Sequence, residues 1–256
     1  MKIMISEKYS LLGCPCTHVD SIDTANKVLT GLINSGRYGY SVAINAEKIM
    51  FYRSDTKLRE AIEQSTFPFP DGAGAVLALK WLHRKKSVKL DLPKTALDLA
   101  NANSWRLFLL GSREEVNLTA YEVIKKHYPN IQLAGRLNGF ESEEKMLHSI
   151  RTAFPQLVLA GLGSPKQELL AHKMENMCVP TFMIGCGGAL DVLAGCAKRA
   201  PKVMIKYNLE WFYRLCKQPL RWKRQLKLVY FFVDLITEKI RKTSLPEVNN
   251  KGVGPC

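Results

Sequence analysis

The chain has 256 residues, of which 46% are hydrophobic and 23% charged, with a formal net charge of +14. That is enough apolar material for one large α/β core, or a core with an appendage, and it excludes a disordered chain. No apolar run approaches the ~20 residues needed to span a bilayer, and no charged-then-apolar leader pattern opens the sequence.

Taken in chain order, residues 1–20 read as a short β-rich entry. Ser21 then caps a helix running to about Asn34. Tyr40–Ile44 is a short apolar strand, with Asn45-Ala46-Glu47 at its carboxyl end. A helix from Asp55 to Gln64 leads into Phe67-Pro68-Phe69-Pro70, whose prolines force an extended segment. Asp71-Gly72-Ala73-Gly74 turns into a helix from Ala75 to His83. Leu107–Leu110 is a strand ending at Gly111-Ser112, and Glu114–His127 is a helix. Ile131–Ala134 is a strand, and Glu141–Thr152 a helix. Leu157–Gly163 is a strand ending in glycines, followed by a helix from Lys166 to Met177. Thr181–Gly188 repeats the strand-to-glycine pattern.

Short apolar strands alternating with helices predict an α/β fold, a parallel sheet with helices on both faces. Ligands bind such sheets at the carboxyl edge, where these strands end in glycine or a polar residue.

Beyond Pro201 the pattern changes to a basic helical C-terminal appendage. Between Lys198 and Lys242 stand thirteen Lys or Arg residues against Glu210, Asp234 and Glu238. Such a segment seeks phosphates, on nucleic acid, anionic lipid or a diphosphate. Aromatic and aliphatic residues interleave with the basic ones, and from Leu226 to Ile236 only Lys227 and Asp234 are charged. This predicts a surface-lying amphipathic helix, or a helix packed on the domain with its basic residues solvated. Stacking of nucleic-acid bases on the aromatics is the alternative, though no nucleic-acid-binding signature accompanies them. The expected organisation is a domain over residues 1–200, an appendage over 201–242 and an unstructured tail over 243–256.

The seven cysteines (14, 16, 178, 186, 196, 216 and 256) are odd in number and include no Cys-x-x-Cys. They read as reduced thiols of a cytoplasmic protein rather than a disulfide framework or a zinc site. No cofactor and no metal are expected.

Gly161-Leu162-Gly163-Ser164-Pro165 and Gly185-Cys186-Gly187-Gly188 are either tight strand-to-helix turns or places where backbone amides approach a phosphate. Neither fits Gly-x-Gly-x-x-Gly, so a dinucleotide site is not supported. Asp71 is either a helix N-cap or a general base facing a cleft. Lys166 and Gln167 either contact a nucleotide sugar or belong, with Glu168, to a solvated first helical turn. Asp191 either binds a sugar hydroxyl or caps the next helix.

Several stretches together carry a resemblance. They are Ala43-Ile44-Asn45-Ala46-Glu47-Lys48, Pro70-Asp71-Gly72-Ala73-Gly74, Gly163-Ser164-Pro165-Lys166-Gln167-Glu168, and Gly185-Cys186-Gly187-Gly188-Ala189-Leu190-Asp191-Val192. Gly195–Pro201, Leu209–Leu215 and Gln218–Arg221 extend the pattern. In this order they resemble the WecG/TagA/CpsF glycosyltransferases, over about Leu11 to Ile236, with the N-acetylmannosaminuronic acid transferases nearest.

The resemblance implies a Rossmann-like, metal-independent, inverting transferase. The implied donor is UDP-linked N-acetylmannosamine or its uronic acid. The implied acceptor is N-acetylglucosamine on undecaprenyl diphosphate, in cell-surface polysaccharide synthesis. Asp71 falls on the family's proposed base and Asn45 on an active-site polar contact. Gln167 and Asp191 fall near the donor, with Lys166, Gly187 and Gly188 beside them. The appendage is implied to meet the inner face of the cell membrane, with Arg214, Arg221 and Arg224 toward the lipid diphosphate. A catalytically inactive member remains an alternative, because two stretches depart from the family pattern. Ser87–Leu92 lacks the usual Arg and Gly, and Gly188-Ala189-Leu190-Asp191 lacks an aromatic.

Overall fold

The computed structural model describes residues 7–177, 179–197, 200, 201, 203, 204, 213 and 222–244, the last stretch with side chains from 227 to 241. Element labels below run over the described residues.

A hairpin of β1 (Lys8–Leu11) and β2 (Cys14–Thr17) opens the chain. Helix α1 (Ile22–Asn34) follows, capped by Ser21, whose hydroxyl accepts from the Thr24 N–H at 3.1 Å. The main sheet has six parallel strands: β3 (Gly39–Ile44), β4 (Phe67–Pro70), β5 (Arg106–Gly111), β6 (Gln132–Leu137), β7 (Leu157–Gly161) and β8 (Phe182–Gly185). Their spatial order is β4-β3-β8-β7-β5-β6. The helices between them are α2 (Ala46–Tyr52), α3 (Thr56–Glu63), α4 (Gly72–His83), α5 (Leu92–Asn103), α6 (Glu114–His127), α7 (Glu143–Ala153) and α8 (Lys166–Met174). After β8 come α9 (Ala189–Leu193) and α10 (Trp222–Ser244).

Strand alternation decides the layers, because successive side chains point to opposite faces. Tyr40, Val42, Ile44, Phe108, Leu110, Val158, Ala160 and Met183 join one buried cluster. Their neighbours Leu107, Leu109, Leu157, Leu159, Phe182 and Ile184 join another. The first cluster is completed by α2, α3, α4, α7, α8 and the hairpin, and the second by α1, α5 and α6. The connections β3–β4, β6–β7 and β7–β8 move one way along the sheet and cross the first face. Those carrying α5 and α6 move the other way and cross the second, as one crossover hand requires.

The Phe-Pro-Phe-Pro segment is not merely extended: it is the edge strand β4. The Asp71 N–H donates to Ile44 O on β3 at 2.7 Å. By alternation, positions 68 and 70 aim away from β3, where a missing N–H costs nothing and blocks further pairing. Helices α2 and α5 were not assigned from the sequence; α2 is a single short unit and α5 begins with Pro93 in its first turn.

Helix α10 packs on the domain along one side. Phe231 and Leu235 are fully buried in the first cluster, and the helix lies against α2 and α4. Arg53 of α2 pairs with Asp234, and the Lys227 ammonium sits over the Phe51 ring. Its outward stripe is nevertheless apolar, at Val229, Val233, Ile236 and Ile240. No described helix is long and apolar enough to cross a membrane.

Candidate active site

The carboxyl ends of the six strands form one stitched edge. Asp71 and Asn45 are the first residues beyond the paired strands β4 and β3, where Pro70 lies opposite Ile44. Just beyond β8, the Cys186 N–H donates to Ala160 O of β7 at 2.8 Å. The Ser112 N–H reaches Gly161 O at 2.9 Å, and the Gly139 N–H reaches Ser112 O at 2.8 Å. Each strand end thus hands its polar groups to the next turn. A Cβ on Gly72, Gly163, Gly187 or Gly188 would meet nothing within 4 Å among the described residues.

Asp71 holds the N-cap position of α4, but its carboxylate makes no capping hydrogen bond there. A cap that does not cap leaves the pure N-cap reading without its bond. Asn45 does cap: its Oδ1 accepts from the Lys48 N–H at 2.9 Å and starts α2. The Asn45 side chain therefore presents Nδ2, a donor, to anything bound beside it.

Gln167 is buried, and so is Glu168, which removes the alternative of a solvated first turn for these two residues. The Gln167 Oε1 accepts from the Gly187 N–H at 3.2 Å, and its Nε2 donates to Glu168 Oε1 at 3.1 Å. Glu168 in turn pairs with Lys48 Nζ at 2.5 Å, both side chains being almost fully enclosed. Lys48 and Glu168 were missed by sequence reasoning, although each ends a motif already singled out and they carry opposite charge.

Asp191 lies in the first turn of α9, with both carboxylate oxygens 3.5 Å from Ser112 Oγ. Lys166 reaches across the edge to Gly139 O at 2.9 Å. The expected residues thus form a row. Asp71 and Asn45 stand at the β4–β3 end, Gln167 and Gly187 at the centre, and Asp191 and Lys166 toward β5 and β6. Arg214 and Arg221 lie outside the described residues, and so does the side chain of Arg224. Desolvation pushes the Cys186 thiol up to about 12, so it is protonated at neutral pH and unsuited to nucleophilic attack. Among the described residues no group of three or more His, Cys, Asp or Glu side chains is placed to hold a metal.

The profile of the glycosyl transferase WecG/TagA/CpsF family matches residues 9–245. The chain belongs to this family. It is 34% identical over 209 residues to an N-acetylglucosaminyldiphosphoundecaprenol N-acetyl-β-D-mannosaminyltransferase of Bacillus subtilis, covering 80% of this chain and 82% of that one. An enzyme of the same name from Bacillus spizizenii is 28% identical over 223 residues, covering 84% and 87%. The protein is therefore a glycosyltransferase, and neither the nucleic-acid-binding nor the inactive-member alternative gains support.

The stretch in which this transferase departs from the family pattern is built into the fold. The Ser87 hydroxyl donates to Val19 O at 2.7 Å, the Val88 N–H donates to the same carbonyl at 2.9 Å, and Leu90 and Leu92 are buried.

Gly185 is where the centre of the row is most tightly specified. A Cβ there would stand 2.4 Å from Gln167 Nε2 and 2.8 Å from its Cδ. Because the obstacle is the end of a flexible side chain, Gly185→Ala should fold, at a cost of about 1–3 kcal/mol. It should displace Gln167 from Gly187 and lower turnover by about tenfold or more. A thermal melt together with UDP release checks both; wild-type turnover would show that the position of Gln167 is immaterial.

Proposed function

We propose that this transferase moves N-acetylmannosamine, or a related sugar such as its uronic acid, from UDP to N-acetylglucosamine on undecaprenyl diphosphate, with inversion at the anomeric carbon. The names of the two relatives support the acceptor and a β-mannosaminyl product, and they favour N-acetylmannosamine over the uronic acid. The observation that carries the reading is Asp71, a carboxylate at the strand edge whose capping bond is not made.

In this reading Asp71 takes the proton from the acceptor hydroxyl as its oxygen bonds to the anomeric carbon. The bond from that carbon to the diphosphate oxygen breaks, and UDP leaves with the electron pair. Asn45 Nδ2 donates a hydrogen bond beside the base. The turn at Gly187-Gly188, with Lys166, supplies amide and positive groups toward the leaving diphosphate. Gln167 acts by holding the Gly187 turn, and Asp191 with Ser112 offers hydroxyl-binding groups at the far end of the row. Arg214, Arg221 and Arg224 are assigned to the lipid diphosphate on sequence grounds.

The experiment is UDP release from a panel of UDP-sugars, with and without the lipid-linked acceptor. Release with one donor that depends on acceptor names the substrate. Absence of acceptor-dependent release from every donor would sink the proposal.

A lipid-linked acceptor calls for peripheral attachment to the cytoplasmic face of the membrane. Support comes from α10, whose outward residues Val229 and Ile240 are each 60% exposed while the same helix is basic. An apolar stripe flanked by cations suits an interface rich in anionic lipid. The double substitution Val229→Asp/Ile236→Asp should weaken sedimentation with anionic vesicles by about tenfold or more without lowering the melting midpoint. Unchanged sedimentation would remove α10 from the membrane contact.

A further inference from the structure

We infer that Lys48 and Glu168 are positioning residues for the transfer, which rests on the glycosyltransferase reading above. Their buried pair ties the first turn of α2 to that of α8, far apart in sequence, and through Gln167 it reaches the Gly187 turn.

Lys48 uses both its ends. Its backbone N–H fixes Asn45 Oδ1 at 2.9 Å, and its ammonium meets Glu168 Oε1 at 2.5 Å. The same Oε1 accepts Gln167 Nε2 at 3.1 Å. A carboxylate accepts and cannot donate, so it dictates which way round the Gln167 amide lies. Nitrogen must face Glu168, and oxygen is thereby turned to the Gly187 N–H at 3.2 Å. The pair thus sets the sense of the Gln167 amide, with its oxygen on the glycine turn, while the Lys48 backbone holds Asn45 with Nδ2 outward.

The arrangement is not the one that stability alone would select. Glu168 Oε2 is buried with no hydrogen-bond partner among the described residues. Buried polar atoms are almost always satisfied, and an apolar pair of similar volume commonly replaces a buried ion pair without loss of stability. Local rules are broken in this way mostly at functional sites. Here the charge does what an apolar pair cannot, which is to set the sense of a neighbouring amide.

The test compares wild type with Glu168→Gln and with the double variant Lys48→Met/Glu168→Leu. The double variant leaves no unpaired charge inside, so it should melt close to wild type. Its kcat for UDP release should nevertheless fall by about tenfold or more. Amide exchange at Gly187 should accelerate by a similar factor of about ten. Glu168→Gln, of unchanged volume, should lie between the two in kcat, because its amide can present either atom to Gln167. Wild-type kcat in a normally melting double variant would overturn the inference, and so would unchanged exchange at Gly187. If the double variant does not fold, Glu168→Gln decides on the same two readings. Failure of both to fold would assign the pair to the scaffold instead. If wild type itself turns over no donor, the transferase reading falls separately, and exchange at Gly187 still decides the positioning.

Discussion

Asp71→Asn lowers acceptor-dependent UDP release by about 10²–10⁴-fold, the range over which a positioned general base acts. The substitution changes no volume and keeps a side chain favoured at the N-cap, so the melting midpoint stays within about a degree of wild type. The donor KM is also expected to hold, because the base meets the acceptor hydroxyl rather than the nucleotide. Of these outcomes kcat separates the base from a cap: Asn caps as well as Asp, so a pure capping role would leave both stability and kcat unchanged, and the carboxylate at residue 71 makes no capping bond. Wild-type kcat in Asp71→Asn would move the proton acceptor elsewhere on the strand edge, with Asp191 the next carboxylate along the row.

Phe231→Ala is expected to destabilise the protein strongly. Phe231 is fully buried, and it anchors α10 where Gly74 and Ala46 meet. A Cβ added to Gly74 would lie 3.1 Å from the Ala46 Cβ and 3.4 Å from Phe231 Cε1. Truncating a buried phenylalanine costs about 3–5 kcal/mol, from lost transfer energy and the cavity left behind. For a chain of this size that is a fall in melting midpoint of roughly 6–20 °C. The same ring backs the turns that present Asn45 and Asp71, since Ala46 follows Asn45 and Gly74 lies three residues beyond Asp71. Turnover should therefore fall along with stability, whereas Val229→Asp/Ile236→Asp on the outer stripe should spare stability. A midpoint unchanged by Phe231→Ala would mean that α10 does not brace the site.

The sequence by itself determined the fold class. Short apolar runs such as Leu107–Leu110 and Leu157–Ala160 can be buried on both faces only in a covered parallel sheet. It also determined where the chemistry gathers, because strands that end in Gly161 or Gly185, or run straight into Asp71, place flexible or charged residues at the carboxyl edge. The family followed from ordered motifs, which local spacing preserves.

What only the tertiary structure decided were pairings between distant segments. The partnership of Lys48 with Glu168 spans 120 positions, and nothing in the local pattern of either distinguishes a buried ion from a solvated one. The same holds for α10, whose amphipathic sequence is compatible with lipid or with protein on its apolar side. Its two apolar stripes are told apart only by the arrival of Gly74 and Ala46 under Phe231. Periodicity records which residues avoid water; which surface removes it is settled by the packing of elements far apart in the chain.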